Sequence, residues 1–205
     1  MNMWEIEQRH FDQGIELICG VDEAGAGPLA GPVCAAAVIL PPNVMLPWLD
    51  DSKKVTPKRR DILFDQIKEL AVAWAVAWVE PEEIDELDIL NARMKAMQKA
   101  IDQLSPVPQL ALIDGNRDHG SKCAIELPHE TIVKGDSLSA SIAAASILAK
   151  VSRDRKMEAL DEYYPGYGFA KHKGYPTKAH YQALDQLGPS DIHRQSFLVK
   201  WRSKR

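Results

Sequence analysis

Short apolar segments of strand length alternate with longer helical patterns along the chain, and this order constrains the fold more than any other feature. Residues 16–21 and 33–40 are two such apolar segments, and a loop rich in Gly and Pro joins them. Segments 71–79 and 109–115 also have the length and composition of strands. Residues 124–136 are expected to hold one or two more short strands. Strands that alternate with helices predict an α/β protein with helices layered on the sheet.

Helical patterns cover residues 57–70, 81–104, 137–164 and 176–187. Thr56 is a suitable N-cap for the first of these helices, because Pro57 would then take the first helical position. The first half of the long third pattern contains the small-residue run "SIAAAS", which favours close packing of a helix against a sheet. The segment that follows it, at about 165–205, is predicted to be a helical C-terminal segment.

Length and composition predict one globular catalytic unit, which we place at residues 16–205 of this 205-residue chain. No apolar run is long enough to span a bilayer, and the first residues lack a signal-peptide pattern. We therefore expect a cytosolic protein without membrane association, and a monomer by default. Cys19, Cys34 and Cys123 form no C-x-x-C pair, which favours reduced, buried thiols.

The net charge of −4 hides an uneven distribution of charge along the chain. Residues 150–205 carry 12 Lys and Arg against 6 Asp and Glu, so the rest of the chain is acidic. A basic end on an acidic body suggests that one part binds an anion while another holds cations. A basic C-terminal segment that is only a solvated surface is the alternative.

Acidic residues stand at three places where strands are predicted to end or a helix to begin. Asp22 and Glu23 follow the first strand, Asp114 ends the strand at 109–115, and Asp136 precedes the long helix. Each of them alone could be a turn former, and Asp136 could be the N-cap of that helix. In α/β folds, however, strand ends meet at the edge of the sheet where ligands bind.

Four carboxylates at one edge would repel each other unless cations lay between them. A set of oxygen ligands without Cys or His favours Mg²⁺ or Mn²⁺. Two such ions can activate a water and stabilise the leaving oxygen of a phosphodiester. Because neighbouring strand residues point to opposite faces, Asp22 and Glu23 can share a site only if the strand ends or bulges there.

The motifs "GVDEAGAGPLAGPV", "DDSKK", "LIDGN", "KGDSLSASIAAASILAKVSRD" and "FAKHKGYPT" together resemble ribonuclease HII, the type 2 ribonuclease H family. The resemblance extends from about residue 16 to about residue 200. It implies a ribonuclease H-like α/β fold with a C-terminal helical segment, and dependence on Mg²⁺ or Mn²⁺. It also implies cleavage of the RNA strand of RNA–DNA hybrids and incision of duplex DNA 5′ of embedded ribonucleotides, leaving 3′-hydroxyl and 5′-phosphate ends.

The resemblance also assigns roles to single residues. It implies that Asp22, Glu23, Asp114 and Asp136 are the four catalytic carboxylates of the metal site, where Asp136 either binds metal or helps to position the water. The backbone of Gly25, Ala26 and Gly27 would read the ribose 2′-hydroxyl, which distinguishes RNA from DNA. Tyr175 would stack on the neighbouring sugar, although it could also be an ordinary half-buried aromatic residue.

Four further residues are candidates for substrate contacts. Lys53, Lys150 and Arg153 would contact phosphates if the resemblance holds, and would otherwise lie on solvated surfaces. His172, in a basic loop, is expected to contact a phosphate or to lie on the surface rather than to catalyse.

Ala26 departs from the resemblance, because the family usually has Gly-Arg-Gly where this chain has Gly-Ala-Gly. Losing the Arg removes a charged phosphate donor, so we expect weaker substrate binding with the backbone recognition retained. The altered loop also motivates an alternative, a hybrid-binding protein with weakened or no catalysis. A nucleotide hydrolase with a phosphate-binding loop is disfavoured, because no G-x-x-x-x-G-K-[ST] sequence is present.

Overall fold

The computed structural model describes residues 2–50 and 52–203, and its strands form one mixed five-stranded sheet. The strands are β1 (Ile18–Ala24), β2 (Val33–Ile39), β3 (Ala73–Val79), β4 (Leu110–Asp114) and β5 (His129–Ile132). Their order across the sheet is β3-β2-β1-β4-β5. Strand β2 is antiparallel to β1 and β3, whereas β4 is parallel to β1 and β5. The predicted α/β class, with helices layered on the sheet, is confirmed.

Helices cover both faces of this sheet. The helices of the described residues are α1 (Glu5–Phe11), α2 (Pro57–Leu70), α3 (Pro81–Leu87), α4 (Ile89–Asp102), α5 (Ala140–Tyr163), α6 (Phe169–His172), α7 (Lys178–Leu187) and α8 (Val199–Arg202). Helices α3 and α4 pack their apolar side chains on one face, and α2 and α5 pack theirs on the other. The ends of the strands, where the acidic residues are predicted to gather, therefore lie between two helical layers. No helix in the described ranges has the length and apolar character needed to cross a membrane.

The long helix α5 lies very close to the central strand β1. A Cβ atom on Gly20 would come within 2.0 Å of the Ser141 backbone. The small residues predicted to pack against the sheet, from Ser141 to Ser146, are all buried. This close approach fixes the position of α5 against the strand that carries Asp22.

Ser139, not Asp136, caps the N-terminus of α5. The Ser139 side chain accepts a hydrogen bond from the Ile142 N–H, and its hydroxyl donates to the buried carboxylate of Glu7. Asp136 lies before the cap, in a 3₁₀ turn over Gly135–Ser137. The alternative reading of Asp136 as a helix N-cap is therefore wrong.

The helix predicted over 81–104 is two helices, because the chain breaks at Asp88. The backbone of Asp88 has φ of 73°, outside the helical region, and its side chain caps α4 by accepting from the Asn91 N–H. Thr56, by contrast, caps α2 as predicted, with Pro57 at the first helical position.

Strand β1 continues through both acidic residues to Ala24. Asp22 pairs with Ala36 and Glu23 with Ala35 of β2 in regular antiparallel register. The expectation that the strand ends or bulges at these acids is therefore wrong, because pairing with β2 carries it further. In the segment 124–136, only β5 forms within the described part of the chain.

The chain after α5 is helical, as predicted. It contains α6, α7, a 3₁₀ turn at Gln195–Leu198 and α8. Backbone hydrogen bonds tie this C-terminal segment to the loop after β1, from Leu29 N–H to the Gly174 carbonyl and from Gly31 N–H to the Ile192 carbonyl. The glycine-rich loop and the C-terminal segment are thus built as one unit.

Candidate nuclease site

Three of the predicted carboxylates meet at the carboxyl edge of β1 and β4. The last parallel pair joins Val21 to Ile113, so Asp22 and Asp114 follow on adjacent strands. Asp136 comes to the same edge from the 3₁₀ turn, where its N–H donates to Oδ1 of Asp114 at 3.2 Å. The edge therefore brings together side chains that are far apart in the sequence.

The surroundings of Asp22 strongly disfavour its charged form. Its side chain is buried, and its Oδ1 accepts a hydrogen bond from the Glu23 N–H at 2.7 Å. Burial, followed by the nearby charges of Glu23, Asp114 and Asp136, raises the pKa of Asp22 well above its usual range. No ion pair joins this carboxylate to a Lys, Arg or His side chain within the described residues, so its ionised form is costly there.

Glu23 points from β1 toward α4, and because the strand ends one residue later at Ala24, its carboxylate still lies near enough to Asp114 for their charges to interact. Its Oε1 lies 2.7 Å from Nε of Arg93, while Oε2 is buried without a hydrogen-bond partner. Burial raises the pKa of Glu23, and the positive charge of Arg93 opposes that increase. Glu23 is therefore paired with a cation, yet it retains one unsatisfied oxygen.

The donor set at this edge fits a hard divalent cation. Within residues 2–50 and 52–203, no three Asp, Glu, His or Cys side chains already converge on one metal position. The available donors are nevertheless carboxylate oxygens, among them the unsatisfied Oε2 of Glu23 and the crowded carboxylate of Asp22. Such oxygens suit Mg²⁺ or Mn²⁺ rather than a softer metal.

The loop at Gly25–Gly27 follows directly after these acids. Gly25 has φ of +96°, a conformation that side chains rarely adopt. The carbonyl oxygens of Gly25 and Ala26 accept hydrogen bonds from the buried guanidinium of Arg194 at 2.7 and 3.0 Å. Tyr175 lies beside the loop, with Cε1 3.8 Å from the position of a Cβ on Gly27, and is 42% exposed. The structure thus brings the loop and Tyr175 together.

Lys53 and Lys150 lie on two other segments of the chain. Lys53 is exposed in the segment between β2 and α2. Lys150 is partly buried on α5, and its Nζ donates to Oδ1 of Asp154 at 2.8 Å. Their predicted phosphate contacts stay predictions.

A side chain that contacts a phosphate has to face solvent, whereas Arg153 is buried. It is 1% exposed, and its guanidinium donates to the backbone carbonyls of Ala30, Pro32 and Lys173. It also lies 5.9 Å from the Tyr175 ring. Arg153 therefore supports the loop and Tyr175 from within the protein.

His172 is likewise held by the protein. Its Nδ1 accepts from the Gly174 N–H, so Nε2 carries the proton and donates to the Tyr167 carbonyl at 2.8 Å. Its ring stacks on His180 with centroids 4.4 Å apart. Both nitrogens are occupied by backbone groups, which does not support the predicted phosphate contact or a surface position.

Two arginines at the site escaped the sequence analysis. Arg93 pairs with Glu23 from α4, and Arg194 lies beneath the glycine-rich loop. Arg194 is 168 and 169 residues away from the loop residues it binds, so no local pattern distinguishes it from surface basic residues.

Comparisons with known proteins agree with this geometry. The family model described as ribonuclease HII matches residues 19–200. The ribonuclease HII of Vibrio parahaemolyticus is 56% identical over 195 residues, covering 94% of this chain and 90% of that protein. The ribonuclease HII of Shewanella sp. (strain MR-7) is 57% identical over 182 residues, covering 88% of this chain and 87% of that protein.

Solved structures match as well. Ribonuclease H2 from Pyrococcus horikoshii superposes with a TM-score of 0.74 at 27% identity, covering 91% of this chain and 97% of that one. The ribonuclease HII in the PCNA complex from Archaeoglobus fulgidus superposes with a TM-score of 0.71 at 26% identity. The match covers 87% of this chain and 94% of that one. With the ribonuclease H-like fold and the sequence matches in agreement, the chain belongs to the ribonuclease HII family and is a ribonuclease.

Proposed function

We propose that this ribonuclease cuts the RNA strand of RNA–DNA hybrids and incises duplex DNA on the 5′ side of embedded ribonucleotides. The products would carry 3′-hydroxyl and 5′-phosphate ends. Membership of the family supports endoribonuclease activity on RNA–DNA hybrids. The observation that carries the finer proposal is the placement of a crowded carboxylate edge directly beside the Gly25–Gly27 loop.

Asp22, Glu23, Asp114 and Asp136 would hold the divalent ions. Bound there, two Mg²⁺ or Mn²⁺ ions would supply the Lewis acidity that activates a water and stabilises the leaving 3′ oxygen. The raised pKa of Asp22 supports this assignment, because a cation would favour the ionised carboxylate that burial and like charges disfavour. Rotation of Glu23 away from Arg93 would free both of its oxygens for the same purpose.

Substrate recognition would depend on the loop and on Tyr175. The backbone N–H groups of the loop can donate to the ribose 2′-hydroxyl and the adjoining phosphate, because neither contact requires a side chain at Ala26. Tyr175 is exposed and adjoins the loop, so its ring can stack on the next sugar. Lys53 and Lys150 would contact phosphates farther along the duplex.

Arg153 and His172 take a supporting role in this proposal. Both are held by backbone groups beneath the loop and Tyr175 rather than presented to solvent. The catalytic unit would extend over residues 16–205, with the basic C-terminal segment along the duplex. A monomeric state and a cytoplasmic location also stay predictions.

Cleavage of a DNA duplex that contains one ribonucleotide tests the proposal. We expect a single cut on its 5′ side with Mg²⁺ or Mn²⁺, and no cut with a chelator or in an all-DNA duplex. Asp22→Asn should abolish the cut while the protein still binds the duplex. Cleavage of long hybrids alone would refute the junction activity. A folded, metal-bound protein that cuts neither substrate would support the alternative, a hybrid-binding protein.

A further inference from the structure

Arg194 is a fully buried cation beneath the glycine-rich loop. Its side chain is 0% exposed, and its guanidinium donates to the carbonyls of Gly25, Ala26 and Gly31 at 2.7 to 3.0 Å. Among the described residues, no carboxylate lies within ion-pair distance of it. Burial and the nearby charge of Arg153 lower the pKa of Arg194, but the guanidinium remains protonated at neutral pH.

These contacts decide which way the loop's peptide groups point. In a trans peptide, the carbonyl of one residue and the N–H of the next point in opposite directions. The Gly25 carbonyl is held toward Arg194, so the Ala26 N–H points away from it. By the same geometry, the inward carbonyl of Ala26 turns the Gly27 N–H away from Arg194.

Both of these N–H groups are available to a ligand. In the described part of the chain, neither the Ala26 nor the Gly27 N–H has an intramolecular acceptor. Gly27 is exposed and Ala26 is partly exposed, and the loop adjoins the exposed ring of Tyr175. Two successive N–H groups that point out of a turn form a suitable site for a phosphate or hydroxyl oxygen.

A simple packing role accounts poorly for an arginine at this place. The buried carbonyls of Gly25 and Gly31 need a donor inside the protein, but a neutral donor would serve, whereas burying a guanidinium carries a large desolvation cost. The fork of an arginine can bind several carbonyls in one fixed plane, which lysine cannot do. The arrangement therefore fixes the peptide orientation at the cost of a buried charge.

We infer that Arg194 is a positioning residue that holds the Ala26 and Gly27 N–H groups toward the ribose 2′-hydroxyl and its phosphate. This inference rests on the proposed function of the loop. It also explains how recognition could persist without an arginine at position 26. The cation lies beneath the loop and acts through its peptide groups.

Binding measured without cleavage tests this role. In the Asp22→Asn protein, affinity is compared for a duplex with one ribonucleotide and for the all-DNA duplex of the same sequence. Adding Arg194→Lys should lower the preference for the ribonucleotide by about tenfold, or about 1.4 kcal/mol. Affinity for the all-DNA duplex should change much less, because lysine keeps the charge but not the peptide orientation.

Tyr167→Phe is the matched control for general loosening of the C-terminal segment. It removes the hydrogen bond from the Tyr167 hydroxyl to the Gly188 carbonyl at 2.7 Å and leaves the loop carbonyls bonded. The control should keep the ribonucleotide preference. A folded Arg194→Lys protein with an unchanged preference would overturn the inference while the proposed function stands. Absence of any preference in the Asp22→Asn protein itself would overturn both.

Amide hydrogen exchange keeps the inference testable if Arg194→Lys does not fold. In the Asp22→Asn protein, the Ala26 and Gly27 amides should exchange rapidly in the free state. The ribonucleotide duplex should slow their exchange at least several-fold more than the all-DNA duplex does. Equal protection by both duplexes, or none, would show that these N–H groups do not read the ribose.

Discussion

Ala26 leaves the glycine-rich loop without a charged side chain, while its carbonyl remains bonded to Arg194. The two arginines near the loop, Arg153 and Arg194, are buried and donate to backbone carbonyls. Neither therefore replaces a side chain that would bond to a phosphate directly. At the scale of single residues, the loop can orient its peptides yet lacks one charged donor at its surface.

Ala26→Arg should strengthen substrate binding. A charged hydrogen bond to a phosphate contributes about 1–3 kcal/mol, which predicts a lower KM with little change in kcat. One additional phosphate contact should also steepen the salt dependence of affinity by about one unit of log–log slope. Gln103→Arg, at the end of α4 farthest from the site, controls for the added charge. If Ala26→Arg leaves KM and the salt slope unchanged, the missing side chain does not limit binding.

Asp22→Asn should stabilise the metal-free protein while it abolishes cleavage. An amide of the same shape removes the repulsion that the buried Asp22 carboxylate experiences, so unfolding should cost about 1–2 kcal/mol more at pH 7 in chelator. Urea unfolding measures this difference.

Adding Mg²⁺ should reverse the order, because an ion that binds only the folded wild type stabilises it. Stabilisation of both proteins by Mg²⁺ to the same extent would count against Asp22 as a ligand.

At the scale of elements, the layering of α5 on β1 depends on the absence of one side chain. Gly20 meets the Ser141 and Ile142 backbone, and a Cβ there would lie 2.0 to 2.3 Å from it. Backbone atoms cannot move aside as the end of a flexible side chain can. The helix that begins just after Asp136 is therefore held against the strand that carries Asp22.

Gly20→Ala should destabilise the protein by at least about 2 kcal/mol, because α5 must shift to admit one methyl group. Gly27→Ala is the matched control, since the nearest atom to its added Cβ is Tyr175 Cε1 at 3.8 Å. The control should change the free energy of unfolding by less than about 1 kcal/mol. Equal stability of the two variants would mean that α5 can retreat from β1 without cost.

Capping residues and runs of small residues in the sequence predicted where some helices begin and which parts of them are buried. The Thr56 cap and Pro57 marked the start of α2, and small residues marked the buried half of α5. The break at Asp88 escaped prediction because the apolar spacing continues across it while the backbone turns to positive φ. The full length of β1 was not predicted, because hydrogen bonds to β2 extend the strand beyond Val21. The sequence of β1 itself gives no sign of this extension.

The features of the candidate site also divide into those that local sequence signals predicted and those that they did not. Acids at predicted strand ends identified Asp22, Glu23 and Asp114 as neighbours of one edge, and the structure brings Asp136 to Asp114. Regular alternation along β1 turns Glu23 toward α4, but nothing in the sequence identified Arg93 as its partner. The buried position of Arg153 and the backbone contacts of His172 depend on carbonyls distant in the chain or on chain turns, which charge and composition do not show.

At the scale of the whole molecule, the C-terminal segment supports the site through a chain of neutral histidines. The Ser190 N–H donates to Nδ1 of His193, so the proton of that ring is on Nε2. Nε2 of His193 therefore donates to Nε2 of His180 at 3.0 Å. Nδ1 of His180 in turn carries the proton of its ring and donates to the Tyr175 carbonyl at 2.9 Å. Each ring nitrogen of His180 and His193 therefore acts either as a donor or as an acceptor. An additional proton on either ring would break one of these hydrogen bonds.

Acidification should therefore destabilise the protein through His193. Burial, and next the proximity of His180, lower the pKa of His193 from 6.5 to about 4. Because the unfolded chain binds the proton more readily, this stability is complete above pH 6.5 and is lost as pH falls toward 4. The shift corresponds to about 2–3 kcal/mol between pH 7 and pH 4.

Urea unfolding of the wild type and of His193→Asn at pH 7, 6, 5 and 4 measures this contribution. Asn can keep an acceptor for the Ser190 N–H but does not titrate, so its free energy of unfolding should fall less over this range. The wild type should also lose affinity for a ribonucleotide-containing duplex more steeply than the variant as pH approaches 4, because protonation of folded His193 disturbs the His180 bond to the Tyr175 carbonyl. Parallel pH profiles for the two proteins would show that other groups control the acid response and that Tyr175 is held independently of the histidines.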